Sequence, residues 1–140
     1  MNILVCISSV PDTTSKINFT ENNTKFDDNG IQFVINPYDE FGLTKAMMLK
    51  ESTGGKVTII TVGDTTVESV MRKALAIGAD QAVRVNMNAT DSFSTATEIA
   101  NYINQNSFDL NLVSLFYRNL LSWDLLNKSL GFDRPDFYQK

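Results

Sequence analysis

The sequence predicts an α/β protein: a parallel sheet in a three-layer arrangement, with helices packed on both of its faces. Three observations lead there. Residues 3–8, ILVCIS, are an almost unbroken apolar run rich in β-branched side chains, as expected of a strand covered on both sides. From residue 36 onward, stretches with helical apolar spacing alternate with short β-branched stretches, and such alternation folds into a parallel sheet joined by right-handed crossovers. Residues 71–85, MRKALAIGADQAVRV, compress this into one joint of amphipathic helix, glycine stop and short alternating strand.

Taken in order, the first strand is expected over 3–8 and is broken by Val10, Pro11 and Asp12. Three short β-like pieces follow at 17–19, 24–26 and 31–34, separated by the turn residues Glu21-Asn22-Asn23 and Asp28-Asn29-Gly30, which reads as a small antiparallel excursion outside the main sheet. A helix is expected near 38–50: Asn36 is a good cap, Pro37 loses nothing at the first helical position, and Asp39 and Glu40 complement the dipole. Its apolar stripe is Leu43, Ala46 and Met47, and Gly54-Gly55 stops it before a strand over 57–62. Thr65-x-x-Glu68 reads as a capping box for a helix over 66–77, whose stripe is Val67, Val70, Met71, Ala74 and Leu75. Gly78 ends that helix, and a strand over 82–85 follows. A third helix over 92–105 carries Ala96, Ile99, Ala100 and Ile103, and a last strand is expected over 110–113.

Composition narrows the function. The 140 residues fit one domain, and Lys+Arg 12 against Asp+Glu 16 gives a net charge of -4, which offers no attraction for nucleic acid or an anionic membrane. With no histidine and the single cysteine Cys6, zinc sites, histidine-based triads and internal disulfides are excluded. The opening MNILVCISS has no basic region and too short an apolar run for a signal peptide or membrane span, so a cytoplasmic location without membrane insertion is expected. Neither GxGxxG nor GxxxxGK[ST] occurs. Ligands of parallel sheets bind beyond the carboxyl ends of the strands, which singles out residues 6–10, 36–39 and 62–64. Cys6 lies within a buried run, where a thiol usually serves as a small hydrophobe.

Three motifs occur in order: Val10-Pro11-Asp12-Thr13, Ile35-Asn36-Pro37-Tyr38-Asp39-Glu40 and Arg72-Lys73-Ala74-Leu75-Ala76-Ile77-Gly78-Ala79-Asp80. Together, over residues 1–110, they resemble the beta subunit of electron transfer flavoprotein. The resemblance implies an adenine-nucleotide-hydrolase-like (Rossmann-like) fold, truncated here, in an electron carrier rather than an enzyme. It implies a heterodimer with an alpha subunit that holds most of the FAD, and electrons passed from acyl-CoA or similar dehydrogenases toward the respiratory chain. It also implies a structural AMP in this subunit, with Cys6 against the adenosine, Asn36, Pro37, Tyr38 and Asp39 around the nucleotide, and Val62 as a further contact. Backbone at a strand end and free N–H groups at a helix start are expected to serve such a ligand. Ser8 departs from the pattern, since many relatives carry lysine there.

The resemblance stops after Asp109-Leu110. Residues 111–140 contain no Ile, Ala or Thr, all frequent before, and are rich in Leu and aromatics. This reads as a truncated gene or a segment translated out of frame, so that the chain keeps the adenosine half of the nucleotide site and lacks the phosphate half. The bland alternative is a divergent helix whose apolar surface is formed by Leu121, Trp123, Leu125 and Leu126. Two other functions compete: a stand-alone adenine-nucleotide-binding module of the universal stress protein type, and a small hydrolase or lyase. The tail offers the first only Ser129-Leu130-Gly131 for a phosphate, and the second lacks a convergent acid/base set.

Overall fold

A computed structural model of the chain describes residues 1–88 and 91–113; what was read for residues 114–140 lies outside the described residues. The elements run β1 (Asn2–Cys6), β2 (Ser9–Pro11), β3 (Asn18–Thr20), β4 (Lys25–Asp27), β5 (Phe33–Ile35), α1 (Pro37–Thr53), β6 (Lys56–Val62), α2 (Glu68–Ile77), β7 (Gln81–Val85), α3 (Ser92–Gln105) and β8 (Leu110–Leu112). The main sheet is parallel throughout, in the order β7-β6-β1-β8.

Strand alternation sorts the core into two layers. Ile3, Val5 and Ile7 of the first strand join Val57 and Ile59 under α1 and α2, contributed by Leu43, Ala46, Val70, Met71 and Ala74. Leu4, Cys6 and Ile60 point the other way, under Ile99, Ala100 and Ile103 of α3. Each fully buried aliphatic side chain of this kind contributes about 1.5–3 kcal/mol. The four apolar residues expected on α3 are all buried. On α2 the stripe is narrower than expected: Leu75 is largely exposed, because the helix rests on Val70, Met71 and Ala74 and turns Leu75 to the stripe's edge.

The excursion forms two separate two-stranded antiparallel ribbons. β3 and β4 make a hairpin with Phe19 and Phe26 in edge contact, and its turn places Glu21, Asn22 and Asn23 at positive φ. β2 pairs with β5, so Val10-Pro11 does not end strand structure as expected; the missing proline N–H is tolerated at the end of a two-stranded ribbon. The Thr65 capping box does not form either. Asp64 instead accepts from the Thr66 N–H at 2.8 Å and its hydroxyl at 2.5 Å, which winds 65–67 into a tight turn before α2. An ionised carboxylate outcompetes a threonine hydroxyl as acceptor.

One device pins both outward-built strands to their neighbours at the amino edge of the sheet. Asp80, just before β7, donates its N–H to the Val57 C=O at 2.9 Å and accepts the Val57 N–H on Oδ2 at 2.8 Å. Asp109, just before β8, does the same with Asn2, at 2.8 and 2.6 Å. Without them the first N–H of each inner strand would lack a partner. Lys50, near the end of α1, adds its ammonium to Asp80 Oδ1 at 2.6 Å and to the Gly78 C=O at 2.9 Å. Gly78 takes φ +134, a conformation L side chains rarely adopt, and so the motif Gly78-Ala79-Asp80 is the joint of helix, strand and clamp. Gly55 sits where a Cβ would run into the Met1 carbonyl, the acceptor for the Lys56 N–H at 2.9 Å.

The two clamps separate by burial. Asp80→Ala orphans the N–H of fully buried Val57 and is expected to cost about 1–3 kcal/mol, whereas Asp109→Ala frees the exposed Asn2 N–H to water and costs under about 1 kcal/mol. The Lys50 ammonium, then the Val57 N–H, hold the Asp80 carboxyl below its ordinary value. A depressed folded value means that this contribution is present above the usual carboxylate range and is lost as pH falls through the lowered value. Urea unfolding at neutral and acid pH checks both points: the Asp80→Ala deficit shrinks in acid.

Candidate functional site

At the opposite, carboxyl edge, β1 runs out through Ile7, whose N–H donates to the Ile60 C=O at 3.0 Å, into Ser8. Ser8 is locked to the first turn of α1 three times. Its C=O accepts the Asn36 N–H at 3.0 Å, and its N–H and hydroxyl both donate to Asp39 Oδ2, at 2.7 and 2.5 Å. Asn36 is 2% exposed and Asp39 1% exposed. Asp39 is therefore more than a complement to the helix dipole: it is the buried bond between helix and strand. Glu40, the other acidic residue of that turn, turns outward to Lys73 of α2 at 2.7 Å.

The first turn of α1 consumes its own N–H groups. Pro37 has none, Tyr38 donates to Asn36 Oδ1 at 3.0 Å, and Asp39 and Glu40 donate to the Asn36 C=O at 2.8 and 3.1 Å. The free N–H groups expected there for an anion or sugar do not exist, because asparagine caps with both its side chain and its carbonyl. With Asp39 and Glu40 in the same turn, the helix start repels an anion rather than binding one.

What this edge does leave unpaired is polar and buried. Asn36 Nδ2, a donor, and Asp39 Oδ1, an acceptor, have no hydrogen-bond partner, and neither has Asn111 Oδ1 on β8. Buried groups of this kind are costly unless something meets them. Cys6, paired in register with Ile60, points into the α3 layer, as does Val62 two residues further along β6. Burial, and then the charge of Asp39, push the Cys6 thiol up to about 12, so it is not a nucleophile at neutral pH. Cys6, Asn36, Asp39 and Val62 thus gather at one edge of the sheet, while Pro37 and Tyr38 are exposed.

Two features of this edge escaped the sequence reading. Ser8 is a structural partner of Asp39 and not merely a missing lysine. Arg84 of β7 closes the neighbouring strand ends by donating to the Gly63 C=O at 3.1 Å and to Asn86 Oδ1 at 2.7 Å. Among the described residues, no group of three or more His, Cys, Asp or Glu could hold a metal, and no helix is long and apolar enough to cross a membrane. The donor and acceptor left over suit an uncharged edge bearing both functions, such as a nucleobase; nothing in the described edge suits a phosphate.

A family profile described as the electron transfer flavoprotein domain matches residues 23–115. The chain is 38% identical over 114 residues to the electron transfer flavoprotein subunit beta of Bacillus subtilis, covering 79% of this chain and 44% of that protein. It is 34% identical over 113 residues to the subunit of the same name from Clostridium acetobutylicum, covering 79% of this chain and 43% of that one. It is 40% identical over 98 residues to protein FixA of Azorhizobium caulinodans, covering 70% and 33%. The chain therefore spans less than half the length of these relatives.

The raised Cys6 value sets a pH dependence. Between the ordinary 9.0 and about 12 the unfolded thiol loses its proton and the folded one keeps it, so the folded state weakens as pH rises. The slope approaches about 1.4 kcal/mol per pH unit in that window. Urea unfolding at mildly and strongly alkaline pH is expected to show this loss, and Cys6→Ala to remove the thiol's part of it. Ellman's reagent is expected to react with Cys6 only on unfolding.

Proposed function

The chain belongs to the electron transfer flavoprotein family, to the amino-terminal part of its beta-type subunits, and from that premise we propose that it is an electron-carrier component rather than an enzyme. In this reading it pairs with an alpha subunit that holds most of the FAD, and the pair passes electrons from acyl-CoA or similar dehydrogenases toward the respiratory chain. The flavin supplies the redox chemistry when bound; the residues of this chain build and hold the fold beside it. We place a structural AMP at the carboxyl edge, against Cys6, Asn36, Pro37, Tyr38, Asp39 and Val62. The stand-alone module loses ground to the family match, since it shared only the type of sheet.

The observation that carries the nucleotide reading is the buried pair of unpaired groups, Asn36 Nδ2 and Asp39 Oδ1, beside the end of β1. A donor and an acceptor fixed by helix and strand are the complement of an adenine edge. The described edge offers the phosphate nothing, so the adenosine half carries the binding. Asp39→Ala removes one of these groups, and a hydrogen bond to a charged partner is worth about 1.5–3 kcal/mol, a loss of about tenfold to a hundredfold in affinity.

Calorimetry with AMP, adenosine and inorganic phosphate on the whole chain tests this. Adenosine and AMP are expected to bind alike and weakly, and phosphate not at all; an AMP affinity far above that of adenosine would mean a phosphate site elsewhere in the chain. Co-elution with an FAD-loaded alpha subunit, and flavin reduction by an acyl-CoA dehydrogenase in the mixture, tests the carrier role separately. We also propose that the boundary of the family sequence lies at Leu110, with 111–140 out of frame; a continuation of the family sequence in another frame of the DNA beyond that codon is the expected finding.

A further inference from the structure

α1 presents an apolar stripe that none of the packing described above uses. Tyr38 is 60% exposed, Phe41 74% and Met48 59%, and with Lys45 they follow one another at i, i+3, i+7 and i+10 along one line of the helix. The buried stripe, Leu43 and Ala46, faces the sheet, so this second stripe faces outward. Other exposed large apolar residues, such as Phe93 on α3, stand singly, which is ordinary for a protein surface. An aligned row is not.

We propose that the stripe is covered by the chain's own segment 114–140. The chain leaves the sheet at Leu112, at the carboxyl edge where α1 begins, and Leu110 and Leu112 pack in the same layer as Leu43 and Ala46. The segment therefore starts beside the first turn of α1. From Tyr38 to Met48 the helix rises about 15 Å, and a segment from Leu115 to Trp123 spans up to about 26 Å, so reach is ample. Leu115, Phe116, Leu120, Leu121 and Trp123 supply the complementary apolar surface. This needs no history of selection for the contact, because apolar burial is non-directional. A tether also decides between the chain's own segment and a second copy. An effective concentration of about millimolar exceeds a micromolar protein solution by roughly a thousandfold.

Trp123 is the chain's single tryptophan and reports on its own surroundings. In the whole chain its emission is expected at short wavelength and shielded from acrylamide, independent of protein concentration. Phe41→Glu and Met48→Glu, both at exposed positions that leave the core intact, are expected to move it to the emission of the urea-unfolded chain, with far-UV circular dichroism unchanged. Phe93→Glu, on the opposite layer, is expected to leave it in place. Trp123 emission already that of the unfolded chain, or unmoved by Phe41→Glu and Met48→Glu, would overturn the proposal. So would a shift produced by Phe93→Glu alone, or a dimer in sedimentation that Phe41→Glu dissolves.

Discussion

A buried carboxylate holds the candidate site together. Asp39 belongs to α1, yet its engaged oxygen takes both donors of Ser8 at the end of β1, and its burial is almost complete. Moving a carboxylate out of water is tolerated only where donors meet it, and here two donors meet one oxygen while the other oxygen has none. That arrangement fixes where the helix starts relative to the central strand and leaves a polar demand at the same spot. Stability and ligand preference are written into one side chain.

The opposite edge shows what the most recognisable family motif is for. Residues 72–80 lie along α2 and its exit, and their aspartate clamps the start of β6 rather than any ligand. The repetition of the same reciprocal bonds by Asp109 and Asn2 shows that this is a general solution for adding a parallel strand, where slanted ladders leave the first inner N–H short of a partner. Motif density along the sequence therefore marks a structural joint, and the chemistry sits at the other end of the strands.

The helices divide their surfaces unequally. α3 is apolar on its sheet side only, whereas α1 is apolar on two sides, one buried in the core and one carrying Tyr38, Phe41 and Met48. A helix with two apolar stripes must satisfy two neighbours, and the sheet is only one of them. The first turn of this helix also belongs to the candidate site, so whatever lies on its outer stripe also borders the nucleotide edge.

Much was legible in the sequence alone. The buried run at 3–8, the Asn36-Pro37 helix start, the glycine stops and the α3 stripe fixed the alternation of elements, because periodicity and local caps act over one or two turns of chain. The family motifs named the residues that gather at the carboxyl edge. Tertiary structure alone decided the rest: that Asp39 turns inward to Ser8, that Asn36 uses up the helix start, that Asp64 displaces Thr65 as the cap, and that Pro11 joins β5. Each of these depends on a partner brought close by folding, or on which of two competing acceptors stands nearer a donor. Local spacing cannot rank such competitors, since the free energy that separates them comes from burial and distance.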